Sequence, residues 1–227
     1  MRVFLVPGFG EDASIFDKIY PHLPGEKIFL NPWELLGNQP RPELNALQYA
    51  KQLVNWHAIK QEDILIGHST GGWVALYIKH ILNCSIIQIS SWTEKEKVVK
   101  PSTNTKLVYW LTKKGLLFNS LTKRLLIKKN YQGKPSAPVF AFVFDKLIKG
   151  NKNNVNNQLR LIFNDVPEPV TVEPDIRIHA KPDNIVKYPD QPFLEVPGDH
   201  FSLYTHPEEV YAPIVAFLEV RMAGSSQ

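Results

Sequence analysis

Cysteine is almost absent: among 227 residues only Cys84 carries a thiol. An internal disulfide is therefore impossible, and a cysteine-rich zinc site is excluded. Long apolar runs are missing as well, since none approaches the ~20 residues of a membrane span. Near the start, the four apolar residues of Val3-Phe4-Leu5-Val6 give way at once to Pro7-Gly8, short of the ~7–15 residues of a secretory signal core. Histidines are few, and none stands at metal-ligand spacing from a partner. Together these absences predict a soluble, metal-free protein of the reducing cytoplasm with no membrane segment.

What is present suits a packed core. Hydrophobic residues make up 44% and aromatics 11% of the chain, which excludes a disordered protein. The length fits one large domain or two small ones. Charge is nearly balanced overall at +4, yet residues 93–134 hold 11 Lys/Arg against 2 Asp/Glu, a local balance of +9. Such a segment is either a set of solvated helix faces or an attractor for acidic partners. It matches no nucleic-acid module, and apolar helix positions interrupt it, so nucleic-acid binding is not expected.

Short apolar runs bounded by Gly, Pro and Asn alternate with amphipathic stretches. Strands are predicted at Val3–Val6, Lys27–Asn31, Asp63–Gly67, Ser85–Ser90, Ile176–Ala180 and Phe193–Val196. Helices are predicted at Ala46–Ile59, Gly72–Leu82 and Glu208–Arg221. This alternation implies an α/β protein, with a mostly parallel sheet of about six strands and helices on both faces. From about residue 93 to 169 the rhythm stops. Helical pieces at Asn104–Lys114, Leu116–Lys129, Ala137–Lys149 and Val155–Phe163 are broken by Gly115, Gly133-Lys134-Pro135 and the Asn-rich stretch Asn151–Asn157. This is read as a helical lid inserted into one domain spanning 1–227, whose core is 1–92 and 170–221.

Gly67-His68-Ser69-Thr70-Gly71 matches G-x-S-x-G, follows an apolar strand and precedes a helix. A nucleophile on so sharp a turn adopts strained dihedrals, and small neighbours let strand and helix approach. A serine hydroxyl needs a base, and the base an orienting acid. After the last two predicted strands come Lys181-Pro182-Asp183 and Pro197-Gly198-Asp199-His200. Ser69, Asp183 and His200 thus occur in Ser…Asp…His order. Asp175, Asp190 and Asp199 compete as the acid, and His206 as the base. Strand-end position favours Asp183, while His206-Pro207 reads as a helix entry. His68 reads as a supporting residue and Cys84 as an inert packing thiol.

These segments resemble the α/β-hydrolase superfamily. The likeness rests on Val6-Pro7-Gly8-Phe9-Gly10, Gly67–Gly71, Asp183-Asn184-Ile185-Val186, and Gly198-Asp199-His200 followed by Pro207-Glu208-Glu209. The chain differs in having Pro7 where the family commonly has His, and Ala180 where it has Gly before the acid. It also starts at the strand before the oxyanion loop, so the family's two leading antiparallel strands are not expected. The resemblance implies Ser69 as nucleophile, His200 as base and Asp183 as its acid. Backbone N–H groups of Phe9 and Thr70 would form the oxyanion hole, with no cofactor.

Trp92, Phe9, Tyr109 and Trp110 are the expected substrate-binding residues, Trp92 because it follows the strand beside the turn. The activity implied is a serine hydrolase acting on a carboxylic ester or thioester. Acyl groups tethered to an acidic acyl-carrier protein are a specific expectation from the basic lid. Lactone, amide or C–C bond hydrolysis could use the same triad, and a non-catalytic ligand-binding protein could keep the same fold.

Overall fold

A computed structural model describes residues 2–168 and 170–224. Met1, Pro169 and residues 225–227, which fall within the predicted domain range, lie outside the described residues. Six strands form one parallel sheet: β1 (Arg2–Val6), β2 (Glu26–Phe29), β3 (Ile64–His68), β4 (Ser85–Ile89), β5 (Ile176–His179) and β6 (Leu194–Glu195). Their order is β2-β1-β3-β4-β5-β6, and all five pairings are parallel. Every residue of β3 and β4 is buried, as parallel strands covered on both faces must be.

The two-residue alternation of each strand divides the interior. Phe4, Val6, Leu65 and Ile86 point into one apolar cluster, whereas Val3, Leu5, Ile64, Ile66, Ile87 and Ile89 point into the other. The first face is covered by α1 (Pro32–Leu36), α2 (Ala46–His57) and α3 (Thr70–Leu82). Between β4 and β5 come α4 (Thr105–Lys113), α5 (Ser120–Leu126), α6 (Ala137–Lys149) and α7 (Lys152–Phe163). Two helices end the chain, α8 (Ser202–Thr205) and α9 (Pro207–Gly224). Val210, Ile214 and Leu218 of α9, at helical spacing, sit in the second cluster with Phe140, Val143 and Phe144 of α6. Val108 of α4 and Leu159 and Ile162 of α7 join the first. The inserted helices therefore share the sheet's own clusters.

Strand order places the site. From β1 the chain passes along the second face, through Ile15, Phe16 and Ile19, to an edge strand; from β3 it enters α3 on the first face. Loops leaving adjacent strands in opposite directions open a crevice at their carboxyl ends, where ligands of open α/β sheets bind.

The Asn-rich stretch was expected to break helicity, and here the structure differs. Asn151 caps α7, its Oδ1 accepting from Asn153 N–H, and the helix runs on through Asn153, Asn154, Asn156 and Asn157. Asn is a poor helix former because its amide competes for backbone partners. In α7 those amides reach another segment instead. Asn154 Nδ2 donates to the Trp33 and Gly37 carbonyls (2.7 and 2.9 Å), and Asn157 Nδ2 donates to Gln39 O (2.8 Å). The short helix α1, which the residue pattern does not signal, starts directly after the predicted strand Lys27–Asn31. Asn31 Oδ1 accepts from Trp33 N–H, and Pro32 occupies the first helical position.

Candidate active site

Ser69 stands between β3 and α3 with φ 51° and ψ −124°, dihedrals that L-residues adopt only under constraint. The neighbouring glycines supply that constraint. A Cβ on Gly71 would lie 1.9 Å from Val6 O, on Gly67 2.4 Å from Gly72 N, and on Gly72 2.5 Å from Ser91 Oγ. The turn is pinned from β4: Ser69 N–H donates to Ile89 O (2.9 Å), and Ser91 Oγ donates to Ser69 O (2.7 Å). The Ser69 hydroxyl itself has no hydrogen-bond partner among the described residues, and Ser69 lines a cavity of about 440 Å³.

His200 lines the same cavity and is buried. Its Nδ1–H donates to Asp183 Oδ2 at 2.7 Å, so Nε2 is the ring nitrogen left for the cavity. Asp183 is fixed in turn, Oδ1 accepting the Ile185 and Val186 N–H groups (2.8 and 2.9 Å). Its segment is tied to residues 97–99 by Val99 N–H to Ile185 O and Lys187 N–H to Lys97 O. Burial opposes charge on both members of this pair, but their mutual attraction and hydrogen bond prevail. The His200 imidazolium and the His179 ring help hold the Asp183 carboxyl below its ordinary range, and Asp183 raises His200 above the ordinary 6.5. His179 donates through Nε2 to Val186 O (3.0 Å), and burial lowers it below the ordinary value while Asp183 opposes that shift.

The competing residues are engaged elsewhere. Asp175 accepts from Ile86 N–H and Lys79 at the opposite end of the sheet. Asp190 pairs with Lys97, and Asp199 accepts from Ser136 Oγ (2.6 Å) and Phe201 N–H (3.1 Å). His206 Nδ1 meets the Thr205 hydroxyl. Cys84 is buried, which pushes its thiol up to about 12.

Residues Pro7–Gly10 press against the serine: a Cβ on Gly8 would come within 2.9 Å of Ser69 Cβ. Two of the loop's amides are spoken for. Gly8 N–H donates to Glu11 Oε2 (2.6 Å) and Gly10 N–H to Gln158 Oε1 (3.0 Å). Phe9 N–H, lying between them, has no acceptor among the described residues, and neither has Thr70 N–H at the start of α3. Unpaired amides are rare in folded proteins; one of these two belongs to the loop packed against Ser69 and the other to the residue directly after it. Phe9 lines the main cavity; Thr70 borders a water-sized void behind the loop.

Glu11 and Gln158 went unrecognised in the sequence. One follows a glycine-rich loop and the other sits in an Asn-rich helix, and nothing in either pattern marks a buried role. Glu11 Oε2 also lies 2.8 Å from His68 Nδ1, while His68 Nε2 donates to the His200 carbonyl (2.8 Å). Glu11, His68 and His200 are the only group among the described residues that could gather around a metal ion. Hydrogen bonds already engage Glu11 Oε2 and both His68 nitrogens.

The cavity holds about 440 Å³ and is chiefly apolar. Phe118, Phe140, Phe144, Leu147, Leu159 and Ile162 form its walls, and Lys100 and Lys129 stand on its rim. Lys129 and Tyr131 come from a π-type turn, Ile127–Tyr131, that continues α5. Of the four residues expected to bind substrate, only Phe9 lines the cavity. Trp92 turns the other way and stacks on Trp73 at 6.0 Å. The Tyr109 hydroxyl donates to Asn164 Oδ1, binding α4 to the end of α7. Trp110 is 52% exposed. No residue of α4 lines the cavity, which helical spacing alone could not reveal.

No protein-family model and no curated protein matches this sequence. Solved structures do. An enol-lactonase from Burkholderia xenovorans LB400 superposes with a TM-score of 0.72 at 15% identity, over 96% of this chain and 91% of that one. An esterase from Exiguobacterium antarcticum gives 0.68 at 11% identity, over 96% and 92%. The fold is the α/β-hydrolase fold. A thioesterase from the prodiginine biosynthetic pathway of Streptomyces coelicolor has the same fold, with a TM-score of 0.61 at 18% identity over 97% and 90%. Ser69 stands at the turn from β3 into α3, and α4–α7 lie between β4 and β5 of this fold.

Proposed function

We propose that this chain is a serine hydrolase cleaving a carboxylic ester or thioester through an acyl-enzyme. The observation that carries this reading is the buried Asp183–His200 pair opening onto the same cavity as a serine in a strained turn. Ser69 Oγ attacks the acyl carbon, and His200 Nε2 takes its proton and passes it to the leaving alcohol or thiol. Asp183 orients the ring and balances the imidazolium. The Phe9 and Thr70 N–H groups receive the oxyanion, a contribution of roughly 2.7–4 kcal/mol for each such donor. Water, activated by the same histidine, then releases the acid. Unliganded sites often have loose nucleophile–base geometry that tightens on binding. The free Ser69 hydroxyl accords with that.

The apolar walls suit an acyl group rather than a charged substrate. Esterase, enol-lactonase and thioesterase are among the activities named for proteins of this fold, and they support the reaction class. The test is turnover of a short p-nitrophenyl ester: Ser69→Ala is expected to abolish it while thermal unfolding stays unchanged. Undiminished hydrolysis by that variant would refute the assignment.

The finer reading is an acyl group delivered by an acidic carrier protein. Lys95, Lys97, Lys123 and Lys134 are partly neutralised by Asp165, Asp190, Asp145 and Asp199. Lys100, Arg124, Lys128 and Lys129 are exposed and have no acidic partner among the described residues, and Lys100 and Lys129 edge the cavity. Carrier-linked turnover should slow as salt rises, whereas small-ester turnover should not. Equal indifference to salt would remove the carrier from the account.

A further inference from the structure

Glu11 is 2% exposed and His68 fully buried, yet both are polar and in contact beneath the oxyanion loop. A carbonyl can only accept, so the His68 Nε2 that meets His200 O must carry hydrogen. The other ring nitrogen faces Glu11 Oε2, the same oxygen that accepts Gly8 N–H. Between Oε2 and Nδ1 lies one further proton, whichever atom holds it. A single oxygen thus joins the loop after β1 to the end of β3, and His68 carries the link on to the backbone of the base.

Resting on the serine-hydrolase reading, we infer that the Glu11–His68 pair is a positioning unit that aims Phe9 N–H at the reacting centre. With Gly8 held by Glu11 and Gly10 by Gln158, the peptide between them is clamped on both sides and the Phe9 amide is left free. The residue type at 11 matters. An amide oxygen at this site would accept from Gly8 but would require a charged, uncompensated His68. An amide nitrogen would serve His68 but would oppose Gly8 donor to donor. Only a carboxyl group satisfies both neighbours at once.

The charged and titratable groups facing His200 are Asp183 and His179 at the β5 end, Glu11 from the loop after β1, His68 from β3 and the adjacent Asp199. Because Glu11 and His68 share one proton, the pair is neutral as a whole, and Glu11→Gln beside a neutral His68 leaves the net charge of that set unchanged.

Two measurements test the unit together: ester kinetics, and hydrogen exchange of the Gly8 amide. In the unmodified protein Gly8 N–H should exchange slowly and Phe9 N–H fast. Glu11→Gln should lower kcat about 10–100-fold while KM stays within about twofold, and should speed Gly8 exchange at least about tenfold. Unchanged kcat, or a kcat loss with Gly8 exchange unaltered, would overturn the inference. If the variant does not fold, equally fast exchange of Gly8 and Phe9 in the unmodified protein would overturn it instead. Should the unmodified protein neither hydrolyse esters nor react at Ser69, the functional reading fails, and Gly8 exchange still decides whether the pair holds the loop.

Discussion

The carboxyl edge of the sheet and the helices between β4 and β5 are built on different physical terms. At the edge, backbone sterics allow few substitutions: Gly67, Gly71 and Gly72 have no room for a methyl group, and Ser69 is held in strained dihedrals. In the inserted helices, apolar packing shapes the cavity, and amide side chains of α7 hold α1 and the loop that follows it. In the proposed reaction the edge would supply the reacting groups and the insertion their surroundings. Gln158 joins the two, since a side chain of α7 accepts the Gly10 amide of the loop after β1.

Substitutions in the two regions should therefore fail differently. The largest effect is expected at the edge. Asp183→Asn should lower kcat by about 10³–10⁴-fold with the fold retained, measured by steady-state kinetics beside circular dichroism. His200 must be neutral to accept the Ser69 proton, and the unaltered protein holds its value above 6.5. Acidification should thus cut kcat/KM with a midpoint above 6.5, and in Asp183→Asn that limb should move lower. A limb at or below 6.5 in the unaltered protein would contradict the coupling.

A smaller effect, of another kind, is expected from α7. Asn154→Ala strands the Trp33 and Gly37 carbonyls and removes the partner of Gln158. It should cost about 1–3 kcal/mol of stability, seen as a lower Tm, with less than about a tenfold loss of kcat. A catalytic loss as deep as that of Asp183→Asn, with unchanged Tm, would erase the distinction between the regions.

The edge was legible because its chemistry demands a local sequence pattern. G-x-S-x-G after an apolar strand can be read without coordinates, and the strand ends before Asp183 and His200 are equally local. The central strands are legible for the same reason, since the apolar runs Ile64-Leu65-Ile66 and Ile86-Ile87 mark the fully buried β3 and β4. The insertion was less legible. Asn154 and Asn157 look like helix breakers until α1 and its loop are placed against them, and the direction in which Trp92 and Trp110 point depends on how helices dock. Glu11 was hidden for a third reason: a buried carboxylate has no sequence signature apart from the partners it finds.

The smallest effect sharpens the boundary of the cavity. Trp110 is exposed and lies outside its walls, so Trp110→Ala should leave kcat/KM within about twofold. A tenfold loss in the ester assay would return this residue to the substrate-binding surface.

The central claim is that folding turns Ser69 into an activated nucleophile. An active-site-directed fluorophosphonate tests it most directly, read by intact mass and peptide mapping. One adduct per chain on Ser69, absent from Ser69→Ala and strongly slowed in His200→Ala, is the expected result. No adduct on the unaltered protein, or equal labelling of Ser69→Ala, would contradict it.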